Sequence, residues 1–256
     1  MIGSSIGDAM TSGVTAVEQA GSTVHRTQGS WSPDVHALLA HLEHMGFAGA
    51  PRYLGVDDHD REILELIPGD TAESLGEVAS DQLLTSAAAL LRRFHDATIA
   101  SDLLVREGWQ LPSVEPVEVI CHNDIAPYNT IVRGELAVGF IDFDTAAPGP
   151  RAWDLAYALY RFAPLCQRFG DAPWQCERAA RFLEAYGASR ADAVESIRLV
   201  PKRLAALVAF MQAQADAGNS AYAAHIARGD ADLYRRDIAY ATANISAWVT
   251  SIGGRP

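Results

Sequence analysis

The chain has 256 residues, 49% hydrophobic and 20% charged, with three cysteines and a formal net charge of −12. That is a globular protein large enough to bury a sizeable core, as one large domain or two lobes, and not a disordered chain. The acidic balance argues against nucleic acid or anionic membrane as the main partner. No apolar run reaches the roughly 18 residues of a membrane span, and Cys121, Cys166 and Cys176 have neither metal-ligand spacing nor an even count.

Taken in chain order, Met1 to Gly13 is small and polar, with no basic segment leading into an apolar one. It reads as a flexible start and not a signal peptide, so a cytoplasmic location is expected. Two alternating runs from Thr15 to Thr27, joined at Ala20-Gly21-Ser22, predict a β-hairpin with Arg26 near the end of its second strand. Ser32-Pro33-Asp34 offers an N-cap, a proline for the first helical position and an acid for the first turn. Val35, Leu38, Leu39 and Leu42 follow at helical spacing, and Gly46 ends the helix. Pro51 to Val56 and Glu62 to Pro68 predict two strands about an Asp57-Asp58-His59-Asp60 turn, with His59 a solvated loop residue. Ser80 caps a predicted helix through Leu83, Leu84, Leu90, Leu91 and Phe94, where His95 reads as a structural, hydrogen-bonded residue.

The next stretch concentrates the chemistry. A strand from Glu115 to Cys121 ends in His122 and Asp124, and Asn129 follows five residues after Asp124. Thr130 to Val132 and Leu136 to Asp142 predict a hairpin across Arg133-Gly134-Glu135, delivering Asp142 and Asp144. After the rigid break Pro148-Gly149-Pro150, a helix is predicted from about Arg151 to Ala163, carrying Asp154-Leu155-Ala156. Singly these residues have ordinary readings, since an Asp after a strand, or an Asn after Pro-Tyr, commonly stabilises a turn. Together they supply what phosphoryl transfer needs. Asp124 can orient or accept the proton of an attacking hydroxyl, and Asn129 and Asp142 offer oxygens to Mg²⁺, a hard cation that also takes nucleotide phosphates. His122 is expected to bond backbone and hold the loop in shape, and Cys121 to be a buried small hydrophobe. From Trp174 onward the pattern is helical: about Gln175 to Tyr186, Arg190 to Ala217, Ser220 to Ala227 and Asp230 to Ser251, punctuated by Gly187, Gly218 and Gly229.

His122 to Asn129, Ile141 to Asp144 and Asp154-Leu155-Ala156 resemble the aminoglycoside phosphotransferase family, small-molecule kinases related to protein kinases and choline kinases. There a loop H-x-D-x-x-x-x-N is followed by I-D-[FW]-[DE] and D-L-A. The resemblance is good over about residues 50 to 165 and loose elsewhere. It implies an α+β, bilobal protein-kinase-like fold: a short antiparallel β N-lobe over residues 1–67 and a mainly helical C-lobe over 68–256. It further implies ATP or GTP and Mg²⁺ in the cleft, Asp124 and His122 as the catalytic residues, and Asn129 and Asp142 as metal ligands. The Leu66-Ile67-Pro68-Gly69 exit would be the hinge, so that Glu65 and Ile67 would meet the nucleotide base through backbone groups. Asp154 would brace the catalytic loop. The helix at Ser32 would stand for kinase αC, and the C-terminal helices would wall the acceptor pocket, with Asp144, Tyr157, Arg161, Tyr234 and Asp237 as candidates. The acceptor is expected to be a small hydroxylated molecule, and the acidic net charge is compatible with a cationic one. The sequence does not set the oligomeric state.

The pattern also departs from a kinase. Kinases pair a lysine on the third N-lobe strand with a glutamate of αC, but the only lysine here is Lys202, in the C-terminal helices, beside 19 arginines. Arg26 is the expected replacement because it keeps the charge and binds phosphate bidentately; its ordinary reading is a surface strand residue. Glu43 lies late in its helix, with Val35 and His36 at the central positions. Only Gly21 stands where a glycine-rich loop is expected, and the front of the lobe reads as cut short. Beside an active O-phosphotransferase, the sequence leaves open a pseudokinase-like binding module with little or no turnover, and nucleotidyl transfer on the same fold.

Overall fold

The computed structural model describes residues 9–12 and 15–255. Its first part is a five-stranded antiparallel sheet in the order β1-β2-β3-β5-β4, built from Ala9–Ser12 (β1), Thr15–Ala20 (β2), Thr23–Thr27 (β3), Tyr53–Val56 (β4) and Arg61–Glu65 (β5). The predicted hairpin turns at Gly21, whose φ of +63° is left-handed and free of steric cost for glycine. Strand β1 corrects, over Ala9–Ser12, the reading of Met1 to Gly13 as a flexible start. Ala9 pairs with Glu18 and Ser12 with Thr15, so the sheet is not cut short and Arg26 lies on its third strand. Residues 1–8 and 13 of that stretch lie outside the described residues. Helix α1, Ser32–His44, buries Val35, Leu38, Leu39 and Leu42 as the spacing predicts. Trp31, not Ser32, takes the N-cap, because the Ser32 hydroxyl accepts the Gly29 N–H at 2.9 Å.

Beyond residue 67 the chain is mainly helical: Asp81–Ala97 (α2), Arg151–Phe162 (α3), Ala172–Tyr186 (α4), Arg190–Asp216 (α5), Ser220–Ala227 (α6) and Asp230–Gly253 (α7). Ser80 caps α2 as expected, its Oγ accepting the Leu83 N–H at 3.2 Å. Leu83, Leu84, Leu90, Leu91 and Phe94 then join Phe140, Phe143 and Leu155 in one core. Two small sheets frame the loops between α2 and α3. Asp70–Thr71 (β6) pairs with Thr130–Arg133 (β8), which pairs with Leu136–Phe140 (β9); Val119–Cys121 (β7) pairs antiparallel with Ala147–Gly149 (β10). Strand β7 is shorter than Glu115 to Cys121, since Pro116 has no N–H for a ladder. Strand β10 shows that the segment before Pro150 is a pairing strand as well as a break; Pro148 is tolerated there because the ribbon has only two strands. Ten of the 12 residues of α3 are buried, which carries Asp154 into the interior. The result is the mixed fold expected, with small antiparallel sheets and a mainly helical remainder. No helix among the described residues is long and apolar enough to cross a membrane.

Candidate active site

The loop from β7 to β8 is held from its first residue. His122 is buried; its Nε2 donates to the Ile141 carbonyl at 3.1 Å, and its Nδ1 accepts the Asp124 N–H at 3.3 Å. Both bonds require the neutral imidazole, and burial is what depresses its pKa. His122 therefore ties the loop to the strand end that carries Asp142, the shaping position expected for it. The Asp124 carboxylate is fixed by two donors: Tyr128 Oη at 2.6 Å from Oδ1 and Asn129 Nδ2 at 2.9 Å from Oδ2. Burial pushes its pKa up to about 6, against the Tyr128 hydrogen bond and with help from the nearby charge of Asp142. A carboxylate so raised is a better proton acceptor than an exposed aspartate.

Asp154 sits beneath the loop, fully buried. Its oxygens accept the His122 and Asn123 N–H groups, each at 2.8 Å, and His95 Nε2 at 3.0 Å. His95 Nδ1 in turn meets Tyr186 Oη at 2.7 Å, and Arg151 Nη1 donates to the same hydroxyl at 3.0 Å. Burial raises the Asp154 carboxyl, but the hydrogen bonds from the His95 ring and the His122 N–H help to hold the pKa below the ordinary range. Asn123 takes a φ of +66°, a conformation asparagine tolerates better than most residues. From the other side Arg203 of α5 donates to the Asn123 carbonyl, with its Cζ 4.8 Å from the Tyr157 ring centre.

Across the loop, Asp142 adopts a left-handed φ of +64° at the end of its strand, and Asp144 follows in a short 3₁₀ turn. Both carboxylates meet Arg26: Asp142 Oδ1 lies 3.0 Å from Nη1, and Asp144 Oδ1 bonds Nη2. Arg26 Nε donates to Glu62, directly opposite it on β5. Arg26 is thus no surface residue; it is 7% exposed and engaged by three carboxylates. The kinase pairing is rearranged. The glutamate comes from β5, and α1 contributes His36, whose Nε2 lies 2.6 Å from the second Glu62 oxygen and whose ring stacks on Tyr53 with centroids 3.8 Å apart. Glu43 lies out in solvent, 3.6 Å from Arg52. Burial raises Glu62, yet His36 and Arg26 together hold it below its ordinary value. Asp144 is pushed up to about 6 by burial, opposed by Arg26 and reinforced by Asp142 and Glu62.

The residues present fit a Mg²⁺ ion. Asn129 gives its amide N–H groups to the Asp124 carbonyl and carboxylate, and no described residue donates to its Oδ1. Asp142 keeps 42% of its side chain exposed. The donor set is all oxygen, as Mg²⁺ requires. Among the described residues no group of three or more His, Cys, Asp or Glu could hold a metal alone, so phosphate or water oxygens would complete such a shell. At the hinge, the Glu65 side chain turns outward to Arg52 at 2.8 Å, its N–H bonds the Arg52 carbonyl, and the Leu66 N–H bonds the Ser22 carbonyl. The Ile67 N–H has no partner among the described residues. Tyr128, Glu62, His36 and Arg203 are site residues the sequence reading missed. Tyr128 has a local signal, four residues from Asp124 within one turn. Arg203 has none, 80 residues from the carbonyl it holds.

A helix-braced aspartate loop, a second aspartate at a strand end and a sheet arginine meeting that second aspartate define the class of protein-kinase-like phosphotransferase folds. Residues 104–200 match the phosphotransferase enzyme family. The trifolitoxin immunity protein of Rhizobium leguminosarum bv. trifolii is 33% identical over 191 residues, 70% of this chain and 72% of that one. The chain belongs to the phosphotransferase enzyme family. Solved structures agree in fold. A spectinomycin phosphotransferase in complex with ADP and spectinomycin superposes with a TM-score of 0.58 at 12% identity, over 93% of this chain and 92% of that one. A choline/ethanolamine kinase family protein from Mesorhizobium loti gives 0.56 at 15% identity, over 99% and 90%.

Proposed function

We propose that the protein is an O-phosphotransferase that moves the γ-phosphoryl group of ATP or GTP to the hydroxyl of a small molecule with Mg²⁺. The observation that carries this reading is that Asn129 donates to the Asp124 carboxylate while the Ile141 N–H, beside Asp142, donates to the Asn129 carbonyl at 3.0 Å, a combination a bare scaffold has no physical need to keep. The nucleotide would lie between residues 1–67 and 68–256, with its base at the Ile67 N–H and the Glu65 backbone. Asp124, oriented by Tyr128 and Asn129, takes the acceptor proton as the hydroxyl oxygen bonds to the γ-phosphorus and the bond to the β-phosphate oxygen breaks. Asn129 and Asp142 would hold Mg²⁺, which when bound neutralises charge on the phosphates. Arg26 would turn its terminal nitrogens from Asp142 and Asp144 to phosphate, and His122 keeps the loop in register. The ADP bound to the spectinomycin phosphotransferase supports a nucleotide donor, and a cytoplasmic location goes with this reading.

One observation favours a second reading, a nucleotide- or ligand-binding module with little turnover. Arg26 is already saturated by carboxylates, so phosphate must displace one of them. Calorimetric titration with ATP and with GTP, each with and without Mg²⁺, tests both. Metal-dependent binding is expected, and the mass of the product then separates phosphoryl from nucleotidyl transfer. A folded protein that binds neither nucleotide sinks the enzyme reading.

A further inference from the structure

Beside the catalytic loop stands a cation with neither an ion pair nor a hydrogen bond among the described residues. Arg161, in the last turn of α3, is partly buried among tyrosines, its Cζ 5.0 Å from the ring centre of Tyr128 and 5.9 Å from that of Tyr160. It makes no hydrogen bond or ion pair with any described residue, and its Nε is buried without a partner. The other well-buried guanidinium groups each donate to the protein through at least one nitrogen, although Nε of Arg178 and of Arg203 is unpartnered too. Arg26 has three carboxylates, Arg178 has Asp81 and two backbone carbonyls, and Arg203 has the Asn123 carbonyl.

The acids around Arg161 are already taken. Asp124 accepts from Tyr128 and Asn129, and Asp237 accepts the Tyr160 hydroxyl at 2.7 Å. The end of the α3 dipole and the tyrosine faces favour a cation here, but neither supplies an acceptor for its N–H donors. A buried charge left unpaired is costly, and a planar fork with free donors matches the paired oxygens of a carboxylate.

Resting on the phosphotransferase reading, we infer that Arg161 recognises the carboxylate of a hydroxy-acid acceptor, whose hydroxyl reaches Asp124 across the Tyr128 side chain. Tyr128 links the two ends: its ring carries the Arg161 guanidinium and its hydroxyl holds Asp124. The acceptor is then an anion, contrary to what the net charge of −12 suggests, and Arg161 repels amines from the same place.

The test takes homoserine, 4-hydroxybutyrate, glycerate and pantothenate, each beside its carboxamide, with ethanolamine, kanamycin and glycerol 3-phosphate as further arms. Thermal shift reads binding, and ADP release from ATP·Mg²⁺ reads transfer. At least one acid should bind and turn over at least about tenfold better than its amide, and Arg161→Gln should erase that difference mainly through KM. Its ATP·Mg²⁺-induced shift, if kept, shows a folded site; should Arg161→Gln not fold, Arg161→Lys, which keeps charge without the fork, should narrow the same difference. Acids no better than their amides, a preference for amines or for the phosphate ester, or a difference that survives in the variants overturns the inference. A wild-type shift with ATP·Mg²⁺ would then leave the phosphotransferase reading standing, whereas its absence removes that reading itself.

Discussion

Arg26 Nη1 stands 3.0 Å from Asp142 Oδ1, so the sheet cation rests on the carboxylate assigned to the metal. The same guanidinium neutralises Glu62, which is 1% exposed. Arg26→Ala leaves that charge with His36 alone and should lower stability by about 3–5 kcal/mol, measured by urea unfolding. Arg26→Lys keeps the charge without the fork; it should fold and weaken ATP binding more than adenosine binding. Equal losses for the two ligands would confine Arg26 to a structural role.

Asp124→Asn keeps the shape and the Tyr128 and Asn129 neighbours but removes the proton acceptor. Turnover should fall by about 10²–10⁴-fold while the calorimetric affinity for ATP·Mg²⁺ stays near that of the wild type. A variant of normal rate would end the assignment.

Asp142→Ala should make nucleotide binding indifferent to Mg²⁺, read by titration with and without EDTA. It also frees Arg26 from one of its three carboxylates, so metal-free ATP should bind no worse than to the wild type. Retained metal dependence would place the ion elsewhere.

Asp154→Asn puts an N–H₂ group among three donors that all require an acceptor, the N–H groups of His122 and Asn123 and the His95 ring. A loss of about 1–3 kcal/mol or more is expected, since a buried donor is left unpaired. Urea midpoints decide it. A neutral result would mean that the loop is held from the Arg203 side.

His95 and His122 give stability a pH dependence. Burial depresses both pKa values, so below about 6.5 the unfolded chain takes up protons that the folded chain refuses, and stability falls on acidification. Asp124 and Asp144, raised to about 6, act oppositely between about pH 6 and 4, because the folded state holds their protons more tightly. The difference between variants isolates the histidine. His95→Gln can still donate to Asp154 and accept from Tyr186, and below pH 6.5 its stability should fall more gently than the wild type's, by up to about 1.4 kcal/mol per pH unit. Parallel curves would show that His95 titrates alike folded and unfolded.

The elements that carry the site are legible locally. The strand end at Cys121, the capped helix at Ser80 and the buried helix of Asp154 follow from alternation, caps and 3.6-residue spacing, whereas the strand predicted to reach Asp142 stops at Phe140. What was not legible depends on pairing across the chain. Ala9–Ser12 and Ala147–Gly149 are strands because of the partners they meet, and short polar or proline-bearing runs announce no partner. The Arg26–Glu62 pair depends on β3 lying beside β5 and not β4, an ordering that the predicted strands do not report. For the same reason His36, read only as a residue displacing the expected glutamate, proves to be the second ligand of Glu62.

The one lysine, Lys202, is exposed on α5, and the third strand of the sheet carries the Arg26 guanidinium instead. Acyl-phosphate and sulfonyl-fluoride nucleotide probes, which capture kinases by acylating or sulfonylating an amine beside the phosphates, find no such amine among the side chains of this site. If the protein binds nucleotide as proposed, profiling by those reagents would pass over it. The same arrangement leaves Lys202 as the one lysine side chain open to an amine-reactive dye or linker.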